Sequence, residues 1–217
     1  MLQKIRAFQF HDTTDTARIR GGISKADCQY LKDNAGNLAA VLNMLKTTEK
    51  YVPYYNRIVK YVQKILPYFK DFELIGYPEN PNEIYLNWTK HGSEYILTPN
   101  QLSDGTIRFI ALATLLLAPR DIQPDVIVID EPELGLHPMA IQILSNMIKQ
   151  AAENVQVLIA TQSPILLDTF DAKDIVVLEA PQESTVVKRL DDKALEEWLK
   201  QYTLSELWDK NVLGGQP

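Results

Sequence analysis

The chain has 217 residues, a length that suits one domain or one and a half. With 46% hydrophobic and 23% charged residues, its composition is typical of a globular protein. The net charge of −6 excludes a uniformly basic nucleic-acid surface but is compatible with a local basic patch. The single cysteine, Cys28, excludes an internal disulfide, and the longest apolar run, residues 110–118, is too short to span a bilayer. With no signal peptide, we expect a cytoplasmic protein without a membrane partner.

Two helices are predicted ahead of a β segment. Residues 36–46 carry apolar side chains at helical spacing, and Asn34 is the candidate cap. Residues 53–66 repeat that spacing with a proline in the first turn, and Pro67 is expected to end the helix.

The second helix and the residues before it are rich in lysine and tyrosine. Cations interleaved with aromatic rings are found on nucleic-acid surfaces, so DNA is a candidate partner. A solvated face on helices packed by their tyrosines is the simpler interpretation, and the sequence alone favours it. The cations are Lys46, Lys50, Arg57, Lys60 and Lys64, and the tyrosines are Tyr51, Tyr54, Tyr55 and Tyr61.

Three strands with short connections are predicted at residues 72–75, 83–88 and 94–97, which suggests an antiparallel meander. We therefore expect residues 1–100 to form a helical and antiparallel β segment. Residues 101–217 are expected to form a separate α/β lobe.

The second half has the pattern of an α/β fold with a parallel sheet flanked by helices. Residues 103–118 predict a helix that is apolar nearly all round and therefore buried. The β-branched run at residues 126–129 predicts a central parallel strand covered on both faces. A helix at residues 138–152 and a second buried strand at residues 155–159 complete a right-handed crossover unit.

The last part of the chain predicts a hairpin and two helices. The strands of the hairpin are expected at residues 174–178 and 185–189. Tryptophan and leucine residues around Trp198 and Trp208 mark the two closing helices.

An acidic pair, Asp130 and Glu131, follows the apolar strand at residues 126–129. In open α/β sheets, ligands bind at the carboxyl ends of the strands. A carboxylate at the position of Asp130 can hold Mg²⁺, and Glu131 can polarise an attacking water as a general base. An acidic turn that ends a core strand is the simpler alternative, but the residues that follow, 132–138 (Pro-Glu-Leu-Gly-Leu-His-Pro), favour the catalytic interpretation.

A second candidate site is the stretch Leu-Ser-Asp-Gly-Thr at residues 102–106. Ser103 or Asp104 can cap the buried helix, whose free N–H groups and partial positive charge make an anion site. Gly105 lets a phosphate approach the backbone closely. A simple helix cap is the alternative, since such a short pattern often occurs by chance.

Together these stretches resemble the RecF/SMC-like branch of the ABC ATPases, the AAA-type group that includes the OLD-like proteins. The resemblance covers nearly the whole chain. Its nucleotide motifs are the signature loop at residues 102–106, the Walker B strand with its following loop at residues 126–138, and the switch loop Thr-Gln-Ser-Pro at residues 161–164. Further similarity lies at residues 10–13, 33–40 and 207–215.

The resemblance implies a head-to-tail dimer that uses ATP and Mg²⁺. Ser103, Asp104 and Gly105 would then contact, in trans, a nucleotide bound by the other subunit. It also implies a metal-binding role for Asp130 and catalytic roles for Glu131 and Gln162. His137 and Arg108 are candidate interface residues, although His137 could equally cap the helix that begins at Pro138.

The sequence departs from this family pattern in three ways. It contains no G-x-x-x-x-G-K-[ST] phosphate loop and no recognisable early glutamine loop, so we expect the chain to be the C-terminal part of an ABC-type P-loop ATPase whose N-terminal half is elsewhere or deleted. The switch position holds Gln162, where many ABC proteins carry histidine. The loop after Walker B holds His137, where transporters usually carry aspartate.

Two functions remain open on sequence grounds. One is ATP hydrolysis by a dimeric ATPase coupled to DNA or to a partner effector, with this chain inactive alone. The other is a non-catalytic dimerisation module that keeps Walker B only as scaffold. The missing phosphate loop favours the second, and the intact Asp130–Glu131 pair favours the first. His11, His91 and His137 are too dispersed in sequence to predict a metal site.

Overall fold

The computed structural model describes residues 5–76, 78–179, 185–190 and 192–215, without the side chains of residues 192–194. The chain divides into two compact units, Met1–Ala160 and Thr161–Pro217. The boundary expected at residue 100 falls inside the first unit, because strands from both sides of it pair in one sheet.

The secondary structure agrees with most of the predicted elements. The strands are β1 (Ile5–Phe8), β2 (Ile23–Ser24), β3 (Phe69–Glu73), β4 (Glu83–Ile84), β5 (Asn87–Lys90), β6 (Val126–Asp130), β7 (Gln156–Ala160), β8 (Val176–Glu179) and β9 (Val186–Arg189). The helices are α1 (Leu38–Thr47), α2 (Val52–Ile65), α3 (Asp104–Leu117), α4 (Pro138–Ala152), α5 (Pro164–Leu167), α6 (Asp192–Leu199) and α7 (Leu204–Asp209). The four long helices predicted from apolar spacing are confirmed.

A parallel sheet with the order β1-β6-β7 forms the centre of the first unit. Its register sets Phe8 beside Ile129 and Ile129 beside Ile159. β6 is the middle strand, as its unbroken apolar run predicted, and α4 connects it to the parallel strand β7. Ile127 and Ile129 are buried, and α3 is buried almost all round, so this face of the sheet and α3 belong to the core.

The opposite face of the sheet is open. Successive residues of a strand point to opposite faces, so Ile5, Val128 and Leu158 share this face. Ile5 is 51% exposed and Leu158 is 49% exposed, so no described element of the first unit covers them. The expectations that β6 is covered on both faces and that β7 is buried are therefore wrong. We call this surface the open face: Ile5, Ala7, Val126, Val128 and Leu158.

The helical and antiparallel segment packs into the first unit rather than forming its own lobe. α2 begins with a proline in its first turn and packs against α1 and α3. β3 pairs antiparallel with β5, and β2 pairs with β4. The expected third strand at residues 94–97 makes only one bridge, Leu97 to Trp88, so the predicted meander is wrong.

The predicted cap of α1 is also wrong. The side chain of Asn34 accepts a hydrogen bond from Gly36 N at 2.9 Å, which forms a local turn before the helix. Asn37 occupies the cap position but is fully buried, and its side chain bonds the backbone of the preceding loop at Asp27, Tyr30 and Lys32. The amide therefore fixes the loop instead of the helix end.

The second unit contains the predicted hairpin and the two closing helices. β8 and β9 pair antiparallel, with Val177 opposite Lys188. Leu207, Leu213 and Leu204 are buried in a small apolar cluster. Asp168 accepts hydrogen bonds from the backbone N and the hydroxyl of Ser205 at 2.8 and 2.6 Å. None of the described helices in either unit is long and apolar enough to cross a membrane.

Candidate functional site

Three loops of the first unit meet at the carboxyl end of β6. β1 and β6 are parallel, so the residues that follow them lie at the same edge of the sheet. The amide of Gln9 donates to Asp130 Oδ2 at 3.2 Å, and His11 Nε2 lies 3.1 Å from the carbonyl oxygen of Asp130. We call this region the motif edge: residues 9–14, 102–106 and 130–137.

Glu131 leaves the strand in a left-handed conformation, with φ of +43°. This region is unfavourable for a residue with a Cβ and costs about 1–3 kcal/mol. The backbone N of Glu131 donates to Ala160 O at 2.9 Å, which ties the turn to the neighbouring strand β7. The half-buried Glu131 is thus held in a strained turn at the end of the central strand.

The amino end of α3 is capped by a side chain, as the sequence predicted. Ser103 caps the helix, because its hydroxyl oxygen accepts from Thr106 N at 3.2 Å, and it lies 2.8 Å from the hydroxyl of Thr106. Ser103 and Asp104 are exposed. The first-turn N–H groups and the helix dipole favour a negative ligand at such an end.

Packing against a neighbouring loop requires a glycine at position 105, whether or not a ligand binds there. A Cβ at this position would lie 2.3 Å from the carbonyl oxygen of Gly135, far inside contact distance. Gly135 itself has φ of +73°, a conformation that favours glycine. The start of α3 and the loop after β6 therefore meet backbone to backbone, which the sequence analysis did not foresee.

Arg108 lies inside the first unit rather than on a surface that could meet a partner. It is 6% exposed, and its guanidinium donates to the carbonyl oxygens of Phe10 at 2.8 Å, His11 at 3.2 Å and Leu134. Burial lowers the pKa of the Arg108 guanidinium, although an arginine stays charged at neutral pH. The expected interface role is replaced by an internal one, because the side chain joins two loops of the motif edge to α3.

Arg20 is a residue of this region that the sequence analysis missed. It is 6% exposed and donates from Nε to Thr13 O at 2.8 Å. Its Nη atoms donate to Leu102 O at 3.1 Å and to Asp104 Oδ1 at 2.7 Å, and also to Pro99 O. Arg20 therefore holds the signature loop against the segment after β1. Its partners in the signature loop lie about eighty residues away in sequence, so no local sequence pattern predicts the contact.

Gln9 and His11 were also missed as contacts of Asp130. The sequence shows no recognisable early glutamine loop, yet the structure brings Gln9 next to that carboxylate. The available signal was weak: a loosely alternating stretch before Phe10 and the similarity at residues 10–13. Only the pairing of β1 with β6 identifies Gln9 as part of the site.

The two other candidate residues occupy distinct settings. His137 Nδ1 accepts from Met139 N at 3.2 Å and caps α4, which agrees with one of the two roles considered for it. Gln162 belongs to the second unit, two residues beyond β7, where it is exposed. Within the described residues, no three His, Cys, Asp or Glu side chains are grouped as metal ligands.

The fold is similar to that of SMC ATPase heads. A structure solved for "Structural biochemistry of ATP-driven dimerization and DNA stimulated activation of SMC ATPases" is 14% identical, with a TM-score of 0.52 over 74% of this chain and 96% of that chain. An Smc head bound to the C-winged helix domain of ScpA is 16% identical, with a TM-score of 0.52 over 73% of this chain and 51% of that one.

Family membership follows from the sequence. Residues 42–168, more than half of the chain, match the family described as "AAA domain, putative AbiEii toxin, Type IV TA system". The chain therefore belongs to this AAA domain family. No curated protein matches the sequence significantly.

Proposed function

We propose that the chain supplies the signature loop, the Walker B carboxylates and the switch loop of a dimeric ABC-type ATPase. The observation that carries the proposal is the motif edge, where Asp130 and Glu131 end the central strand beside the capped amino end of α3. An acidic turn with no function would not need a strained glutamate or two buried arginines to hold its loops.

Asp130 is the residue suited to hold Mg²⁺. Mg²⁺ in nucleotide sites takes one or two carboxylates together with phosphate oxygens and water. The half-buried carboxylate of Asp130 accepts one described hydrogen bond, from Gln9, and retains oxygen acceptors for a metal. Gln9 can orient this carboxylate, and its amide oxygen is a further potential ligand. When bound, Mg²⁺ would supply charge neutralisation for phosphoryl transfer.

Glu131 is the proposed general base, and Gln162 the proposed contact to the terminal phosphate. The left-handed turn fixes the backbone of Glu131 at the strand end, so its carboxylate can polarise a water held at that edge. A glutamine amide can donate a hydrogen bond to a phosphate but does not titrate near neutral pH, unlike histidine.

Ser103, Asp104 and Gly105 are proposed to act on the nucleotide of a second subunit. An exposed helix end with a capping hydroxyl can receive a phosphate presented from outside the chain. A neighbour in fold comes from work on ATP-driven dimerization, which supports a dimer here by analogy. The exposed His137 at the start of α4 is a candidate contact in that dimer.

The open face supports a phosphate loop supplied by another segment or chain. Parallel sheets are normally covered on both faces, and Ile5 and Leu158 are about half exposed here. A covering layer at this face would lie beside the carboxyl end of β6. The same layer could bring the phosphate-binding backbone that residues 1–217 lack in sequence.

The proposal is tested by Glu131→Gln in the protein that combines these motifs with their phosphate loop. We expect ATP binding to persist, phosphate release to fall about 10²-fold or more, and ATP-bound dimers to accumulate in light scattering. Glu153→Gln, which removes the same charge at the exposed end of α4, should keep normal turnover. Turnover that survives Glu131→Gln would rule out this residue as the base.

A non-catalytic dimerisation module is the second candidate, and the absence of the G-x-x-x-x-G-K-[ST] pattern favours it. The two candidates differ in one respect. A module would form the same dimers with and without ATP, and Glu131→Gln would leave them unchanged.

A further inference from the structure

Positive charge is concentrated on and around α2. Residues 50–70 contain five lysines and arginines and no aspartate or glutamate, although acids outnumber bases 28 to 22 in the whole chain. The same stretch holds five of the ten tyrosines. A positive segment inside an acidic protein indicates a local role for that charge.

Lys70 of this stretch lies on β3, and the structure separates the cations on and just before α2 into two groups. Lys46 is bound internally, with Nζ 2.9 Å from Asp71 Oδ2 and 2.7 Å from Phe72 O. Lys50 pairs with Asp121 at 3.0 Å. Both side chains therefore already pair with carboxylates of the protein itself.

Arg57, Lys60 and Lys64 form the second group. They are spaced three and four residues apart on one side of α2, and all three are exposed. Among the ion pairs of the described residues, none involves these side chains. They lie on a ridge about 10 Å long, given the rise of about 1.5 Å per residue in a helix. We call this ridge the basic face.

The basic face is not a membrane-binding helix. Interfacial helices insert an exposed apolar side into the lipid. The apolar side of α2, with Tyr55, Ile58 and Val62, is buried in the core of the first unit. What α2 offers to a partner is charge and the edges of tyrosine rings.

The tyrosines favour binding to phosphates over stacking with bases. The guanidinium of Arg57 lies 5.9 Å from the ring centre of Tyr54, and Lys64 Nζ lies 4.4 Å from that of Tyr61. Single-strand binders need free aromatic faces on which bases stack. Here the half-buried rings each present a face to a cation, which positions that cation for an anion outside.

We propose that the basic face binds the phosphate backbone of duplex DNA without sequence preference. Three successive phosphates of one strand span about 7 Å along the duplex axis, at 3.4 Å per nucleotide, and the ends of three flexible side chains on a ridge about 10 Å long can reach them. The surface has no base-reading pattern, because its polar groups form a single charged ridge. This inference does not rest on the proposed ATPase function, since it needs neither nucleotide nor dimer.

The test is fluorescence anisotropy of a labelled 30-bp duplex titrated with the whole chain at 50–200 mM salt, without ATP. The variant Arg57→Gln/Lys60→Gln/Lys64→Gln should weaken binding at least tenfold. It should also lower the slope of log K against log salt by about 2–3, because each phosphate contact contributes about 0.9.

A matched control distinguishes this ridge from net charge. Lys173→Gln/Lys200→Gln/Lys210→Gln also removes three exposed cations, so both variants change the net charge from −6 to −9. The control should bind like the unmodified chain. Equal binding by the two variants would overturn the proposal, as would absence of duplex binding by the unmodified chain at 50 mM salt.

Two competitors identify the ligand class. A single strand of the same length should compete less well than duplex, and stronger competition would overturn the backbone mechanism. Vesicles of phosphatidylglycerol should leave the duplex bound, and displacement by them would assign the ridge to lipid instead. Because α2 is exposed at these positions, we expect the triple variant to melt within a few degrees of the unmodified chain.

Discussion

The motif edge and the basic face both contain cations, but the two regions use them in opposite ways. Arg20 and Arg108 are each 6% exposed, and their guanidinium groups donate hydrogen bonds to carbonyl oxygens of distant loops. Arg57, Lys60 and Lys64 are exposed and contact at most a tyrosine ring within their own helix. Burial and the available acceptors therefore decide whether a cation holds the chain together or remains available to an anionic ligand.

The largest expected effect is that of Arg108→Met. The change leaves the buried carbonyl of Phe10 and the partly buried carbonyls of His11 and Leu134 without their donor, and an unpaired buried group costs about 1–3 kcal/mol. We expect the free energy of unfolding to fall by about 3–5 kcal/mol in urea denaturation. Arg57→Met should change it by less than about 0.5 kcal/mol. Equal stability of the two variants would remove the distinction between the regions.

A smaller effect is expected for Gly105→Ala. The new Cβ would meet Gly135 O at 2.3 Å, so the start of α3 and the loop after β6 must separate. We expect a loss of about 1–3 kcal/mol, typical of overpacking, measured by thermal or urea unfolding. Gly21→Ala is the matched control, since its Cβ would lie 3.5 Å from Arg18 O at a φ of −81°. A harmless Gly105→Ala would mean that the two loops are not in firm contact.

The smallest effect concerns Tyr55, on the buried side of α2. Its hydroxyl donates to Asp71, and Tyr55→Phe should cost about 1 kcal/mol at neutral pH. Burial, and then the bond to Asp71, raise the pKa of Tyr55 above its ordinary value near 10. The folded state therefore keeps the proton after the unfolded state has lost it, so this stabilisation is complete below about pH 10 and declines above it.

The pH dependence supplies the measurement. Urea unfolding between pH 8 and 11 should show a steeper loss of stability in the unmodified chain than in Tyr55→Phe. If stability fell equally with pH in the two proteins, Tyr55 would have the same pKa in the folded and unfolded states. The two sides of α2 should also differ in their response to pH. Tyr55 lies on the buried side, so we expect duplex binding by the basic face to be unaffected by its titration below pH 10.

The sequence predicted the elements that depend on local pattern. The apolar run of β6, the all-round apolar α3 and the proline-started α2 and α4 lie where spacing and capping residues indicated. Ser103 caps α3 as expected, because a cap depends only on the residues next to it. The acidic pair could be located for the same reason: the end of an apolar strand is visible in sequence.

The parts that sequence missed depend on distant pairing. The contact of Gln9 with Asp130 arises only because β1 lies beside β6 across more than a hundred residues. Arg20 and Arg108 appear in sequence as ordinary charged residues, and only the fold reveals their carbonyl partners. The exposure of β7 was missed because an apolar run does not say how many faces will be covered.

The contact between Gly105 and Gly135 has a mechanical consequence. Two loops that touch through bare backbone, with no side chain between them, have no soft element to absorb a displacement. Pressure on the cap of α3 would therefore be passed to the turn that begins at Glu131 within the same subunit. In the proposed head-to-tail dimer, where that cap would meet the other subunit's nucleotide, this rigid linkage would transmit nucleotide binding at one site to the turn at Glu131, the proposed general base of the other site.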